Sequence, residues 1–167
     1  MKFSCNRAMV LVVVSSAFLL AATSCKKSNN NSSNGSMSAS VNGTAWATNF
    51  PATGLYSTAG GEFEIAGIQY KSGDSTGFVL LFTTPITLNR AISSDTANLD
   101  VGYVDVHSQL QYDGGAIAGH SILTVTSYDS TGHKIAGTFS GVLYNVSGGS
   151  DSLTITNGTF NSTYTAQ

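Results

Sequence analysis

The chain contains no cysteine after Cys25, only two prolines, and few positive charges beyond its N-terminal region. Disulfides therefore cannot hold a domain built from the later residues, and such a domain must depend on an apolar core. From Ala39 onward, three basic residues stand against nine acidic ones, a formal charge of −6. Because nucleic-acid binding requires a basic surface, we expect no nucleic-acid partner.

Motifs for catalysis are equally scarce. The sequence has no Gly-x-Ser-x-Gly elbow, no phosphate-binding glycine loop and no Asp-x-Asp-x-Asp-Gly calcium loop. Glu62 and Glu64 fall on one face of one predicted strand, whereas glycoside hydrolysis needs two carboxylates on opposite sides of a bond. We therefore expect a non-enzymatic protein without cofactor or metal. A hydrolase with dispersed catalytic residues is the weakest alternative.

The N-terminus has the pattern of an export signal. Lys2 and Arg7 precede an apolar stretch over Met9–Leu20, which is shorter than the roughly 20 apolar residues needed to cross a bilayer. Small residues then lead to Cys25, and the whole resembles a bacterial lipoprotein signal, in which the cysteine becomes the lipidated first residue. We expect a signal peptide over residues 1–24 and lipid attachment at Cys25. An ordinary secretory signal, the alternative, would leave an unpaired cysteine.

Residues 25–38 are expected to form the lipidated cysteine and a flexible tether. The run from Lys26 to Ser38 contains one apolar residue, so it cannot bury enough surface to offset its ordering entropy. As a polar coil it reaches roughly 20 Å. The membrane is therefore an expected partner through covalent lipid at Cys25, and residues 39–167 are expected to form a single domain.

Residues 39–167 show the alternation and turn chemistry of β-structure. Val41-Asn42-Gly43-Thr44 predicts a hairpin, Glu62-Phe63-Glu64-Ile65 an amphipathic strand, and Phe78–Phe82 a central strand covered on both faces. Further strands are predicted over residues 101–112, 121–128, 135–146 and 153–164. Clusters of Gly, Ser and Asp separate them. The expected fold class is all-β, either an antiparallel β-sandwich or an open β-barrel. Both architectures stay open because inward-facing and outward-facing residues alternate along the strands in the same way in each.

Two Gly-Thr-Phe motifs carry a family resemblance. The segments Lys134–Gly141 and Leu153–Asn161 resemble the closing hairpin of small Bacteroidota lipoproteins, and Val41-Asn42-Gly43-x-x-Trp46 is similar to their first hairpin. Those proteins are domains of unknown function, so the resemblance implies an exported, lipid-anchored β domain and no particular activity. From the residues alone, we expect Phe139 and Phe160 to fill one core layer, with a ligand contact as the alternative.

A candidate site lies in the strand predicted over residues 101–112. Alternation places Tyr103, Asp105, His107 and Gln109 on one face, where a carboxylate could orient an imidazole in a pocket lining or a weak metal site. The alternative is the solvated face of an amphipathic strand. No second pair of metal ligands has suitable spacing, so zinc would need partners from remote strands.

Four Asp-Ser or Asp-Thr pairs are similar to the O-glycosylation acceptor motif of exported Bacteroidota proteins. Their acceptor hydroxyls belong to Ser75, Thr96, Ser130 and Ser152, and all four are predicted to lie in loops. Ordinary turn chemistry is an equally good explanation, because Asp and Ser side chains bond to their own backbone in turns.

The expected function is binding without catalysis. We expect a lipid-anchored cell-envelope protein whose β domain binds a small apolar or glycan ligand. A structural or adhesin-like lipoprotein without a small-molecule pocket is the alternative. An empty interior would favour the ligand-binding protein, and a filled core would favour the surface-interaction protein.

The expected location is the outer membrane. Surface lipoproteins of the Bacteroidota tend to carry acidic residues soon after the cysteine, whereas no acidic residue occurs here between Cys25 and Glu62. This favours the periplasmic face, with the cell surface as the alternative.

Overall fold

The computed structural model describes residues 35–115, 119–146 and 150–167, which form β-strands and no helix. The strands are β1 (Ser36–Val41), β2 (Thr44–Ala47), β3 (Thr53–Ser57), β4 (Glu62–Lys71), β5 (Asp74–Thr83), β6 (Ala91–Ser93), β7 (Leu99–Asp105), β8 (Leu110–Asp113), β9 (His120–Asp129), β10 (Lys134–Asn145) and β11 (Ser152–Ala166). The all-β fold class is confirmed. The predicted signal peptide, Cys25 and the tether up to residue 34 lie outside the described residues.

The strand ladders close into a ring. The strands of the ring pair in the order β3, β4, β5, β7, β8, β10 and β11. The ring closes because β11 also pairs with β3. β1 and β2 extend the sheet from β11, and β9 and β6 extend it from β10. Among the described strands the ladders are antiparallel except β11–β3, which is parallel. Side chains alternate between the two faces in parallel and in antiparallel strands alike. The sequence pattern therefore could not predict that the β11–β3 ladder is parallel.

Alternating side chains determine which face of each strand is buried. In β4, Phe63 and Ile65 point inward and are fully buried, whereas Glu64 lies on the outer face and is half-buried. In β5, both Phe78 and its neighbour Val79 are buried, which confirms a central strand covered on both faces. The core therefore lies inside the ring of strands.

The hairpin predicted around Asn42-Gly43 is confirmed. Val41 pairs with Thr44, and φ is positive at both turn residues, 48° at Asn42 and 82° at Gly43. This left-handed backbone is typical of a type I′ turn, whose twist matches that of the flanking strands. Asn42 also binds β11, because its Oδ1 accepts from the Thr154 amide at 2.7 Å and its amide donates to the Thr154 carbonyl at 2.9 Å.

One of the Gly, Ser and Asp clusters that the sequence predicts as turns runs from Lys71 to Gly77, and the turn in the structure is much shorter. Lys71 pairs with Asp74, so only Ser72 and Gly73 form the turn. Gly73 has a φ of 81°, which allows the tight reversal. The polar residues after this turn consequently belong to β5.

The two Gly-Thr-Phe motifs face each other across β10 and β11. Gly137 pairs with Phe160 and Phe139 pairs with Gly158, so each ring lies over the glycine of the opposite strand. A Cβ atom at either glycine would lie 2.7 Å from that ring and 2.3 Å from a backbone oxygen. Both phenylalanines are buried, which confirms the predicted core role. Close approach of ring and backbone thus explains glycine at both positions.

The domain begins earlier than the predicted boundary at Ala39. β1 starts at Ser36, and Met37 is only 1% exposed. Its Sδ atom would lie 3.0 Å from a Cβ placed at Gly67, so it packs against the backbone of β4. The prediction of a tether through Ser38 is therefore wrong for its last residues. Composition averaged over a polar run hides a single methionine that fills the core.

Candidate functional site

The strand predicted over residues 101–112 is in fact a hairpin. β7 ends at Asp105, residues 106–109 form the turn, and β8 begins at Leu110. Gln109 has a φ of 57°, a left-handed conformation that helps reverse the chain and resets the alternation. Tyr103 faces the core instead of water, with its ring centroid 4.9 Å from that of Phe78. The predicted polar face of Tyr103, Asp105, His107 and Gln109 therefore does not exist.

Asp105 holds this turn together through hydrogen bonds from backbone amides. Its Oδ1 accepts hydrogen bonds from the amides of His107 at 3.0 Å and Ser108 at 3.1 Å. Partial burial raises the pKa of Asp105, but hydrogen bonds from Ser108 and His107 outweigh it and leave the pKa below its usual value. These contacts are ordinary turn chemistry and give no support to a metal site or a pocket.

Tyr103 belongs to a small polar group inside the core. Thr76 Oγ1 accepts a hydrogen bond from Trp46 Nε1 at 2.8 Å. Burial raises the pKa of Tyr103, and a side-chain hydrogen bond with Thr76 offsets part of that rise. The Thr76 hydroxyl thus forms hydrogen bonds with both the Trp46 indole and the Tyr103 hydroxyl, so each of these polar groups has a partner.

Aromatic rings pack against one another in the interior. Phe63 stacks with Tyr56 at a centroid distance of 4.5 Å and with Phe82 at 5.4 Å. A second group forms around Phe78, whose ring lies 4.7 Å from Trp46 and 5.3 Å from Phe139. These are contact distances for aromatic pairs, so the paired rings leave no space for a ligand between them.

The histidines do not assemble a metal site. His120 Nδ1 lies 2.8 Å from Asp95 Oδ2, and both side chains are about half exposed. His133 packs edge-on against the Tyr164 ring at 5.1 Å. Over residues 35–115, 119–146 and 150–167, no three His, Cys, Asp or Glu side chains lie close enough together to hold a metal ion.

The four candidate glycosylation acceptors divide into two pairs. Thr96 and Ser130 are exposed in turns, as predicted. Ser75 and Ser152 lie in β5 and β11, so the prediction that all four lie in loops is wrong for these two. Asp129, which precedes Ser130, accepts hydrogen bonds from two turn amides at 2.8 and 3.0 Å. Turn chemistry therefore explains that aspartate without glycosylation.

The outer face of the ring carries an uncharged apolar surface. We define the apolar strip as Ile68, Tyr70, Val104, Val106 and Val146. It lies on two neighbouring cross-strand rows that contain no charged residue. One row runs through Ile68, Gly77, Val104, Gln111 and Val146, and the other through Tyr70, Ser75 and Val106.

Several members of the apolar strip are accessible to solvent. Tyr70 is 55% exposed and Val106 is 46% exposed, while Ile68 and Val104 are half-buried. At a spacing of about 4.8 Å between strands, the longer row spans about 20 Å from β4 to β10. The loop that carries exposed Phe50 is joined to the same end of β4, since Asn49 Oδ1 accepts from the Tyr70 amide at 2.8 Å. Contiguous apolar surface of this kind is typical of an interaction site.

The outer face becomes acidic beyond the apolar strip. Glu62 and Glu64 lie further along β4 on the same face as Ile68. Burial raises the pKa of Glu64, and repulsion from Glu62 raises it further. An apolar surface bordered by carboxylates therefore distinguishes this side of the domain.

The valines at positions 104 and 106 are the one feature of the sequence that could have indicated the apolar strip. Alternation along the predicted strand over residues 101–112 puts Val104 and Val106 on the face opposite Tyr103. In the structure Tyr103 is on the core side, because it can be buried with its hydroxyl satisfied by Thr76. The signal that could have indicated an exposed apolar face is a strand with apolar residues at both odd and even positions, that is, on both of its faces.

No family model, curated protein or solved structure matches the chain. The resemblance to small Bacteroidota lipoproteins therefore stays a prediction. In the part of the chain that the structure describes, no helix has the length and apolar character required to span a bilayer.

Proposed function

We propose that the protein is a lipid-anchored component of the bacterial cell envelope whose β domain binds a macromolecular partner through its outer surface, without catalysis. The observation that carries this proposal is the apolar strip. Its two rows contain no charge, and Tyr70 and Val106 leave about half of their side chains in water. Large exposed apolar side chains grouped in this way mark protein interaction sites more often than chance exposure does.

The packing of the interior supports the same proposal. The rings around Phe63 and Phe78 lie at contact distance from their neighbours, which leaves no room for a ligand between the paired rings. Between the two functions expected from the sequence, the surface-interaction protein is therefore the better supported.

The anchor in this proposal is Cys25. Replacement of Cys25 by serine should release the protein from membranes and leave the domain folded, because Cys25 precedes β1, and Met37 in β1 is the first apolar residue of the described core. Growth with a fatty-acid analogue should label the wild-type protein and not the Cys25→Ser variant. A wild-type protein that stays soluble and unlabelled would contradict lipid anchoring.

The proposed location is the periplasmic face of the outer membrane. Protease added to intact cells should then leave the domain uncleaved, whereas a protein on the cell surface would be cut in its exposed tether. Loss of the domain from intact cells would show surface display and would favour the adhesin-like alternative.

Site-specific photocrosslinking tests the binding proposal. A benzophenone amino acid at position 70 should crosslink to one partner in the native envelope. The matched control is position 88, where Leu88 is 48% exposed but lies in a loop outside the apolar strip. Equal crosslinking from both positions, or none from position 70, would contradict an interface on the strip.

A further inference from the structure

Two Asn-Gly pairs within the described residues have opposite surroundings. Asn42-Gly43 forms the exposed turn between β1 and β2, and a Cβ atom built at Gly43 would meet no atom within 4 Å. Asn157-Gly158 lies inside β11, where Gly158 is buried and its Cβ would lie 2.3 Å from the Phe139 carbonyl oxygen. The same dipeptide is thus present once in an exposed turn and once within a strand that is paired on both sides.

The surroundings of Asn42 favour attack by the following amide on its side chain. Glycine at position 43 offers no Cβ to hinder rotation of its nitrogen toward Cγ of Asn42. The amide of Thr154 donates to Asn42 Oδ1 at 2.7 Å. Negative charge develops on that oxygen when a nucleophile adds to Cγ, so the Thr154 amide stabilises the tetrahedral intermediate.

We propose that Asn42 is a site of spontaneous deamidation in the folded protein and that Asn157 is not. The Gly43 nitrogen bonds to Cγ of Asn42 and loses its proton. The bond from Cγ to Nδ2 breaks, and the side-chain nitrogen leaves as ammonia. Water then opens the cyclic succinimide at either carbonyl, which gives aspartate or isoaspartate at position 42.

The two products differ in their effect on the fold. Aspartate keeps an oxygen acceptor for the Thr154 amide and adds one negative charge. Isoaspartate lengthens the backbone by one methylene, so position 42 can no longer make both of its bonds to Thr154. The modification therefore releases the turn between β1 and β2 from Thr154 in a fraction of the molecules, while β1 stays paired with β11.

Asn157 is protected by the strands on both sides. β11 pairs with β1 and β10 around this position, and Asn157 has a φ of 53° in the bulge that interrupts both ladders. Rotation of the Gly158 nitrogen toward the Asn157 side chain would break these ladders. Reaction there requires unfolding, so a domain of ordinary stability should slow it roughly 1,000-fold or more relative to the unfolded chain.

The test compares both sites in one sample of the purified domain, folded and in concentrated urea. Peptide mapping by mass spectrometry measures conversion at each asparagine, with fragment spectra separating Asn42 from Asn34. We expect Asn42 in the folded protein to react at no less than about a tenth of its rate in urea, and Asn157 to react only in urea.

Asn42→Gln is the control variant, because glutamine keeps an amide acceptor but cyclises far more slowly through a larger ring. It should remove the conversion at position 42 and leave the slow rate at Asn157 unchanged. If Asn42 in the folded wild-type protein is slowed as strongly as Asn157, the hydrogen bonds to Thr154 block the attack and the proposal is wrong.

Discussion

Truncation of Phe160 to alanine should destabilise the domain severely, and the reason is the glycine opposite it. The Phe160 ring is buried and lies against Gly137 of β10, which has no side chain to fill the space left by the missing ring. Removal of a buried phenyl ring costs about 3–5 kcal/mol. This is at least a fifth of the total stability of a typical domain, about 5–15 kcal/mol.

The single tryptophan provides the assay. Trp46 is buried in the core, so its fluorescence emission should shift when urea unfolds the domain. With a urea dependence of about 2 kcal/mol per molar, the Phe160→Ala variant should unfold at a urea concentration about 2 M lower than the wild-type protein.

The control for this experiment lies on the neighbouring strand. Tyr144 belongs to β10 but is exposed, so Tyr144→Ala should change the stability by no more than about 0.5 kcal/mol. If the Phe160→Ala midpoint moved no further than that of Tyr144→Ala, the reciprocal packing of ring on glycine would be refuted. A role of Phe160 in ligand contact would then have to be considered again.

Three further substitutions test separate parts of the fold by the same urea assay. Met37→Ala should cost about 2–5 kcal/mol because the side chain fills the core, and an unchanged midpoint would return this residue to the tether. Thr76→Val should cost about 1–3 kcal/mol, since the Trp46 indole loses its acceptor; an unaltered stability would show that this bond contributes nothing. Glu64→Gln should stabilise the domain at neutral pH and have no effect well below the ordinary carboxyl value of 4.5, because a raised pKa in the folded state means that ionisation of Glu64 opposes folding. Equal stability of that variant and the wild type at neutral pH would contradict the burial of Glu64.

The parts of the fold that the sequence predicted are those with strong local chemistry. Asn42-Gly43 requires left-handed backbone that few other residues adopt readily, and the alternation around Phe63 leaves one choice for the buried face. The predicted strand over residues 101–112 failed because its turn contains no glycine or proline. Gln109 adopts positive φ there, and composition gives no indication of that.

The candidate site was harder to predict for a different reason. The apolar strip joins residues from β4, β7 and the end of β10, which the pairing register of β4, β5, β7, β8 and β10 brings into neighbouring rows. That register depends on where each turn falls, and a misplaced turn moves a whole strand's side chains to the other face. The four polar residues proposed as a face depended on a single uninterrupted strand, so one unrecognised turn removed the whole prediction.

Hydroxyl-radical footprinting most directly tests the claim that this domain acts through its outer surface. Oxidation of Tyr70 and Leu88 should be measured in the purified domain and in the protein as it stands in the native envelope. Both side chains are about half exposed in the isolated domain, 55% and 48% respectively, so both should be oxidised there. We predict that the envelope protects Tyr70 strongly and leaves Leu88 unchanged. Equal oxidation of Tyr70 in both preparations would contradict a partner on the apolar strip.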